Sequence, residues 1–427
     1  MIFAILFYLF MFVSITNLVH IGLYIMGANF YDMSVFKKEK RKRERLRRNA
    51  RATILIPAHN EVKSIVRCLD SVRRSTMRDL EIIVIDDAST DATYEIVKQY
   101  IRTNSDFTRP IEILRCIKNV GKAGALNYAL RRGVRGDFVM TLDADSVLPP
   151  TAIQNAVDYF YDDPTVAGVA ANVRVMHTTT LLGLLQKFEY MVGYRSKKFY
   201  TVTNSEFIVG GVASTYRRNV LQEVGYYDDD IQTEDIALSL KIASRGNKHY
   251  KLVYGADVVA MTEGVQTFKA LLRQRYRWKL GSLQSLLKYR QLFLNGNTKY
   301  SRALTWYRIP FAFLGELIVL CEPILLGYIV FLSYLALTPQ AFVGAYSMIT
   351  LYLLWNVWPD EHMPRREKIK MTLYTPPMYF LFYVMNIVQL FAIIKCVFHF
   401  KKVLRLQPTH ATWVSPERDG QQAVKFS

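Results

Sequence analysis

Asp137-Phe-Val-Met-Thr-Leu-Asp-Ala-Asp145 decides the reading of this chain. Its apolar run, 138–142, is short and unbroken, the pattern of a strand covered on both faces. Two carboxylates one residue apart follow. Side chains alternate along a strand, so residues two apart point the same way. Asp143 and Asp145 therefore fall together at the strand's C-terminal end, where open α/β sheets bind ligands. Paired oxygen ligands there suit a divalent cation such as Mg²⁺ or Mn²⁺. The alternative is a pair of solvated turn aspartates, and the rest of the chain decides between them.

Working back from this stretch, 52–57 and 80–86 read as strands, the second ending in Asp86-Asp87-Ala-Ser89. Helices follow each, over 62–74 and from a cap at Ser89 or Thr90 to Arg102. A third strand covers 111–115, and Gly121-Lys-Ala-Gly-Ala-Leu-Asn127 opens a helix. This β-α-β-α-β-α-β order implies an α/β fold with a mainly parallel sheet and helices on both faces. Asp87, Asp143 and Asp145 then meet at one sheet edge. Further on, 166–175 reads as strand, 181–199 as helix, and 205–211 as strand running into Gly210-Gly211. Thr233-Glu-Asp235 opens a helix to about Ser244 that ends at Gly246, with Thr233 placed to cap it.

Composition sets the setting. The 427 residues are 51% hydrophobic and carry a net charge of +19. Residues 1–31 contain no Lys, Arg, Asp or Glu, ample for an uncleaved anchor of roughly 20 apolar residues. Three later stretches, 309–335, 341–358 and 373–394, are also apolar. The positive charge is concentrated in 37–51, with ten Lys/Arg and two Glu directly after the first span. That placement points to the cytoplasmic face and anionic lipid headgroups rather than to nucleic acid. The four cysteines have no metal-type spacing and read as reduced thiols. If four stretches cross, the C-terminus lies outside, yet Lys395, Lys401, Lys402 and Arg405 argue for inside. Residues 373–394, with Pro376-Pro377, are the candidate for incomplete crossing. Glu316 and Glu322, inside a span, are candidates for a functional role, or Glu316 sits near the headgroups.

A sheet edge bearing three carboxylates suits a nucleoside diphosphate carried on a sugar, with a cation neutralising the leaving diphosphate. Asp235 is the candidate general base; the alternative is that Glu234 and Asp235 only interact with the helix dipole. In Gln274-Arg-Tyr-Arg-Trp278, Arg277 can grip a diphosphate bidentately and Trp278 offers a flat face to a sugar. The surrounding helix alternates leucines with Arg273, Arg275, Lys279 and Lys288, the pattern of an interfacial helix or of one docked on the domain.

Together, Pro57-Ala-His-Asn-Glu61, Asp86-Asp87, Gly121 to Asn127, Asp143-Ala-Asp145, Thr233-Glu-Asp235 and Gln274-x-x-Arg277-Trp278 resemble the processive family-2 glycosyltransferases, which include cellulose, chitin, hyaluronan and poly-N-acetylglucosamine synthases. The tail 411–418 is similar to the C-terminus of bacterial poly-β-1,6-N-acetylglucosamine synthases. His59 departs from the tyrosine many members carry there, which puts stacking near the base in question. The resemblance implies a GT-A type domain beside an α-helical transmembrane region. It implies substrate-binding roles for Asn60, Glu61, Asp87 (uridine), Lys122 (nucleotide), Asp143 (diphosphate), Gly210 and Gly211 (acceptor), and Gln274, Arg277 and Trp278. It implies metal ligation by Asp145 and Asp143, with Mg²⁺ or Mn²⁺, and a general base in Asp235. The expected organisation is an anchor at 1–31, a basic segment at 32–51, a cytoplasmic transferase domain at 52–265, the motif helix region at 266–300, a membrane region of about three spans at 309–400, and a tail at 401–427. The expected reaction is an inverting displacement on a UDP-sugar by a growing polysaccharide, with N-acetylglucosamine as the sugar. The rivals are another polysaccharide synthase, of hyaluronan, chitin or cellulose type, and single addition to a lipid-linked acceptor. With a polymer as product, Glu316 and Glu322 are candidates for lining its path. Any regulation is expected from a partner, such as a small membrane subunit.

Overall fold

Strands whose two faces are both apolar need cover on both sides, and that requirement shapes the molecule. The computed structural model describes residues 2–42, 50–107, 109–176, 180–334 and 339–404. Its strands are β1 (Ala52–Ala58), β2 (Leu80–Asp86), β3 (Ile111–Arg115), β4 (Phe138–Thr141), β5 (Val166–Val175), β6 (Ser214–Arg217) and β7 (Lys251–Thr262). They form a sheet in the order β3-β2-β1-β4-β6-β5-β7. β1 pairs in parallel with β2 and β4, β2 with β3, and β5 with β7. β6 runs antiparallel between β4 and β5.

The helices of the domain are α2 (Ile65–Arg73), α3 (Thr93–Asn104), α4 (Gly121–Arg132), α5 (Ala152–Asp162), α6 (Leu181–Val202), α7 (Arg218–Val224) and α8 (Glu234–Gly246), after an N-terminal α1 (Ile2–Lys42). Alternation along the strands divides the core. Ile54, Ile56, Ile82, Val84 and Met140 pack with Ile65 and Leu69 of α2 and with Ile153 and Val157 of α5. Leu55, Ile83, Ile85 and Val139 pack with Leu126 and Leu130 of α4 and with Leu238 and Ile242 of α8. The register sets Ala58 beside Asp86 and Leu55 beside Thr141. The loops carrying Asp87, Asp143 and Asp145 therefore leave a common edge.

Local readings differ in three places. Residues 205–211 are not strand. Glu206 Oε1 accepts the backbone N–H groups of Phe207 and Ile208, and Ser239 Oγ accepts that of Val209, so these donors are satisfied without a ladder. The strand of this region is β6, further along. Neither Ser89 nor Thr90 caps α3. The chain runs on to Thr93, where Asp91 Oδ1 accepts the Thr93 N–H at 2.9 Å, while Ser89 Oγ takes the Asn60 N–H. Thr233 occupies the N-cap position of α8 but makes no capping bond, and its hydroxyl is buried without a partner among the described residues.

Beyond the sheet come α9 (Phe268–Lys288), α10 (Ile309–Tyr334), α11 (Gln340–Val357), α12 (Arg365–Phe398) and α13 (Phe400–Leu404). Three segments are helices long and apolar enough to cross a membrane: Phe3–Val35, Ala303–Tyr334 and Arg365–Phe398. The stretch expected as a span at 341–358 forms the shorter α11, of 18 residues. At 1.5 Å per residue that is about 27 Å, just under a bilayer core of about 30 Å. α12 runs unbroken through Pro376 and Pro377. One of its ends pairs Glu367 with Lys187 of α6, and the other packs Cys396 against Leu280 of α9. Part of the basic run (43–49) and the tail at 411–418 lie outside the described residues.

α9 docks on protein. Leu271 joins a cluster with Met371, Met378 and Met385 of α12, and its basic residues Arg275, Lys279 and Lys288 are ion-paired to Glu189, Glu316, and Asp228 with Asp230. Gly281 makes the other contact possible. A Cβ there would stand 2.3 Å from Thr233 Oγ1 and 2.7 Å from the Thr233 backbone nitrogen. Gly281→Ala should therefore destabilise the protein by about 1–2 kcal/mol, the overpacking cost less the helix propensity gained. Chemical denaturation of solubilised protein tests this; unchanged stability would show that α9 can slide away from α8.

Candidate active site

Loops at the C-terminal edge, after β1, β3 and β4, deliver parts of a cavity of about 580 Å³. From the loop after β4 come Asp143 and Asp145. Asp143 Oδ1 accepts a bond of 2.6 Å from Lys122 Nζ in the first turn of α4. The same ammonium lies 3.3 Å from Glu234 Oε1 at the start of α8. Burial alone would depress the Lys122 pKa, but Asp143, Glu234 and Asp235 outweigh it and hold it raised. Asp145 is buried, and its Oδ1 accepts bonds from Ser146 Oγ at 2.9 Å and Thr262 Oγ1 at 3.3 Å. Both carboxylates line the cavity.

Asp235 sits one residue into α8. Its Oδ1 accepts the Ile236 N–H at 2.8 Å. Burial, and then the Glu234 charge, push its carboxyl up to about 6, against Lys122 and the backbone N–H groups of Ile236 and Gly211. Gly211 is needed at this point: a Cβ there would stand 2.7 Å from Lys122 Nζ and 3.5 Å from Asp235 Oδ2. Gly210 has open space around the corresponding position. Gln274, Arg277 and Trp278, on one side of α9, close the cavity opposite the sheet. Gln274 Oε1 is buried with no partner among the described residues, an acceptor turned into the site.

Glu61, Lys122, Asp143, Asp145, Gly210, Gly211, Asp235, Gln274, Arg277 and Trp278 thus line a common cavity. Asn60 and Asp87 form the loops behind it. Both Asp87 oxygens are engaged by backbone, accepting the N–H of Val120 at 2.8 Å and of Gly121 at 2.9 Å. Asn60, with a left-handed φ of 58°, holds the following turn through Thr90 N. His59 Nδ1 lies 2.8 Å from the Asp87 carbonyl, so its ring is fixed by the same loop. The cavity adds residues that motif reading left aside, including Glu189, Lys197, Glu206 and Arg308. Glu189 and Lys197 were visible only as charged positions in an aromatic helix. Glu316 of α10 and Gln389 of α12 also line it.

The described residues contain no group of three or more His, Cys, Asp or Glu side chains gathered as a metal site. Asp143 and Asp145 supply two carboxylates, which fits an ion that takes its remaining ligands from substrate phosphates and water.

Residues 53–225 match the family model described as glycosyl transferase family 2. Over 238 residues the chain is 32% identical to the poly-beta-1,6-N-acetyl-D-glucosamine synthase of Staphylococcus aureus (strain COL) and 30% identical to that of Staphylococcus epidermidis. Each match covers 55% of this chain and 55% of the relative. The chain thus matches about half the length of these curated relatives. Among solved structures, a mannosyltransferase from Pyrobaculum calidifontis, in complex with GDP-Man and Mn²⁺, superposes with a TM-score of 0.55 at 21% identity, over 83% of this chain and 98% of that one. Residues 53–225 thus match the family-2 glycosyltransferase model, and the sheet shares its fold, of the GT-A type, with that mannosyltransferase. Among the relatives compared, the chain is similar to the poly-β-1,6-N-acetylglucosamine synthases.

Lys122 joins carboxylates from two elements, so removing it leaves them facing one another. Lys122→Met should cost about 2 kcal/mol of stability, below the range for wholly buried pairs because Asp143 keeps a third of its side chain exposed. Denaturant titration at neutral pH measures this, and a variant as stable as the parent would contradict the balance described.

Proposed function

We propose that this protein is a membrane-embedded inverting glycosyltransferase that builds a β-1,6-linked N-acetylglucosamine polymer from UDP-N-acetylglucosamine and passes it through its helical region. The observation that carries the reading is the position of Asp235. It lies in the cavity with Asp143 and Asp145 on one side and Gln274, Arg277 and Trp278 on the other. The similarity to the staphylococcal synthases supports the choice of sugar and linkage. The continuation of the cavity to Glu316 and Gln389 supports delivery of the product into the membrane region.

In the proposed reaction, Asp235 accepts the proton of an acceptor hydroxyl. That oxygen attacks the donor's anomeric carbon from the face opposite UDP. The bond to the diphosphate breaks, UDP leaves with the electron pair, and the proton remains on Asp235. Asp143 and Asp145 would hold a Mg²⁺ or Mn²⁺ ion, which supplies charge neutralisation to the diphosphate. Lys122, held protonated, and Arg277 add positive charge on the same side. Asn60, Glu61 and Asp87 shape the nucleotide end, Asp87 by fixing the Gly121 turn. Gly210 leaves backbone open to the acceptor, Gly211 makes room for Lys122 beside it, and Trp278 offers the acceptor a flat surface. One base and one stabilised leaving group suffice for inversion, unlike the carboxylate pairs of glycosidases. The transferase domain is placed in the cytoplasm, with membrane lipid around α1, α10 and α12. A small membrane subunit is the kind of partner expected.

A base whose carboxyl titrates at about 6 works only when ionised. Turnover should rise as pH increases through about 6 and level off above it. Asp235→Asn should lower turnover by at least about 10²-fold, the lower end for general acid–base catalysis. UDP-sugar binding, measured by calorimetry, should persist in this variant and be lost in Asp145→Ala. If Asp235→Asn loses donor binding as fully as Asp145→Ala, Asp235 belongs to the donor site. Verified removal of divalent cations should abolish turnover, and added Mg²⁺ or Mn²⁺ should restore it; full activity in EDTA would end the metal assignment.

A further inference from the structure

Trp278 is not a free platform. The guanidinium of Arg275, one turn earlier on α9, lies 4.1 Å from the centre of its ring. Arg275 is itself buried, and its Nη2 donates a bond of 2.5 Å to Glu189 Oε2 on α6. Glu189, Arg275 and Trp278 all line the cavity. A guanidinium stacked on an indole covers one face of the ring and leaves the other to the cavity. The carboxylate, by holding the guanidinium, restricts the tilt of that stack. Arg275 falls at one of the variable positions of the Gln-x-x-Arg-Trp motif, and Glu189 lies outside every motif identified in the sequence.

We infer that Glu189 and Arg275 are positioning residues for the acceptor: their ion pair holds the Trp278 ring at the angle at which its open face meets the terminal sugar of the chain. This rests on the proposed transferase reading. Two features separate the pair from ordinary packing. The flat fork of arginine both stacks and pairs, which a lysine ammonium does not do. The contact also joins α6 to α9, so it fixes the ring relative to the sheet domain as well as within its own helix. Burial raises the pKa of Glu189, while Arg275 and then Lys279 lower it, so the carboxylate depends on its partner for its charge.

The pair acts on one substrate only. The donor carboxylates Asp143 and Asp145 come from the β4 loop and touch neither residue in the contacts described. Loss of the stack should therefore weaken use of the acceptor and leave the donor alone.

The experiment uses the full chain in detergent, with UDP-N-acetylglucosamine as donor and a short β-1,6-linked N-acetylglucosamine oligomer as acceptor. Arg275→Lys keeps the charge and removes the flat stack. Its acceptor KM should rise about tenfold, within the range of a desolvated cation–π contact, with donor binding unchanged. Glu189→Gln should raise the acceptor KM in the same direction. Combined with Arg275→Lys it should add nothing further, because it acts through the guanidinium. Glu189→Asp should recover part of the loss. An unchanged acceptor KM in Arg275→Lys, equal losses of donor and acceptor binding, or additive effects in the double variant would overturn the assignment. If the unaltered protein neither binds UDP-N-acetylglucosamine nor extends the oligomer, the transferase reading fails first, which separates the two claims.

Discussion

The Lys122 ammonium is the charge on which the site depends. It is buried between Asp143, which ends the β4 edge, and Glu234, which opens α8, with Asp235 close by. Several carboxylates cannot remain ionised together in one cavity without a compensating cation. Lys122 supplies that charge from the first turn of α4, a turn whose own backbone donors are held by Asp87. The Asp87 loop, the α4 turn, the β4 edge and the α8 start are thus one connected arrangement. Disturbing any of them changes the field at Asp235.

The same arrangement explains the two close backbone approaches. Gly211 leaves room for the Lys122 ammonium, and Gly281 lets α9 lie against Thr233 at the head of α8. Both bring polar chemistry from distant parts of the chain within reach of a single cavity. α9 is then fixed from outside by charge, with Arg275 to Glu189, Lys279 to Glu316 at 2.7 Å, and Lys288 to Asp230 at 2.8 Å. The helix carrying the sugar-facing tryptophan is in this way tied both to the sheet domain and to the membrane helix α10. In the proposed function, that coupling is what would join transfer to movement of a product.

Much of the fold was legible because it rests on local pattern. The unbroken apolar run before Asp143, the strands ending at Asp86 and Arg115, and the glycine-led helix at Gly121 each declare themselves within a few residues. The convergence of Asp143, Asp145 and Lys122 then follows from parallel pairing. What stayed hidden depends on partners far apart in sequence. Glu189 and Arg275 are 86 residues apart, and nothing near either one announces the other. Residues 205–211 have strand-like composition, but Glu206 and Ser239 take up their backbone donors, so side-chain bonding overrides propensity. Hydropathy shows that 341–358 and 373–394 are apolar, yet α11 is short and α12 touches α6 at one end and α9 at the other. Helix length separates the two: α12 is long and apolar enough to cross, and α11 falls short.

The proposed function requires one cavity to couple a single-base inverting transfer to an acceptor that stays bound and grows. The most direct measurement is the product formed by purified full-length protein in lipid from UDP-N-acetylglucosamine, resolved by length and by the NMR signature of its linkage. The account predicts long chains whose sugars are joined in the β configuration through the 6-hydroxyl, with one UDP released per sugar added. Free N-acetylglucosamine, a single sugar on a lipid acceptor, or an α linkage would contradict it.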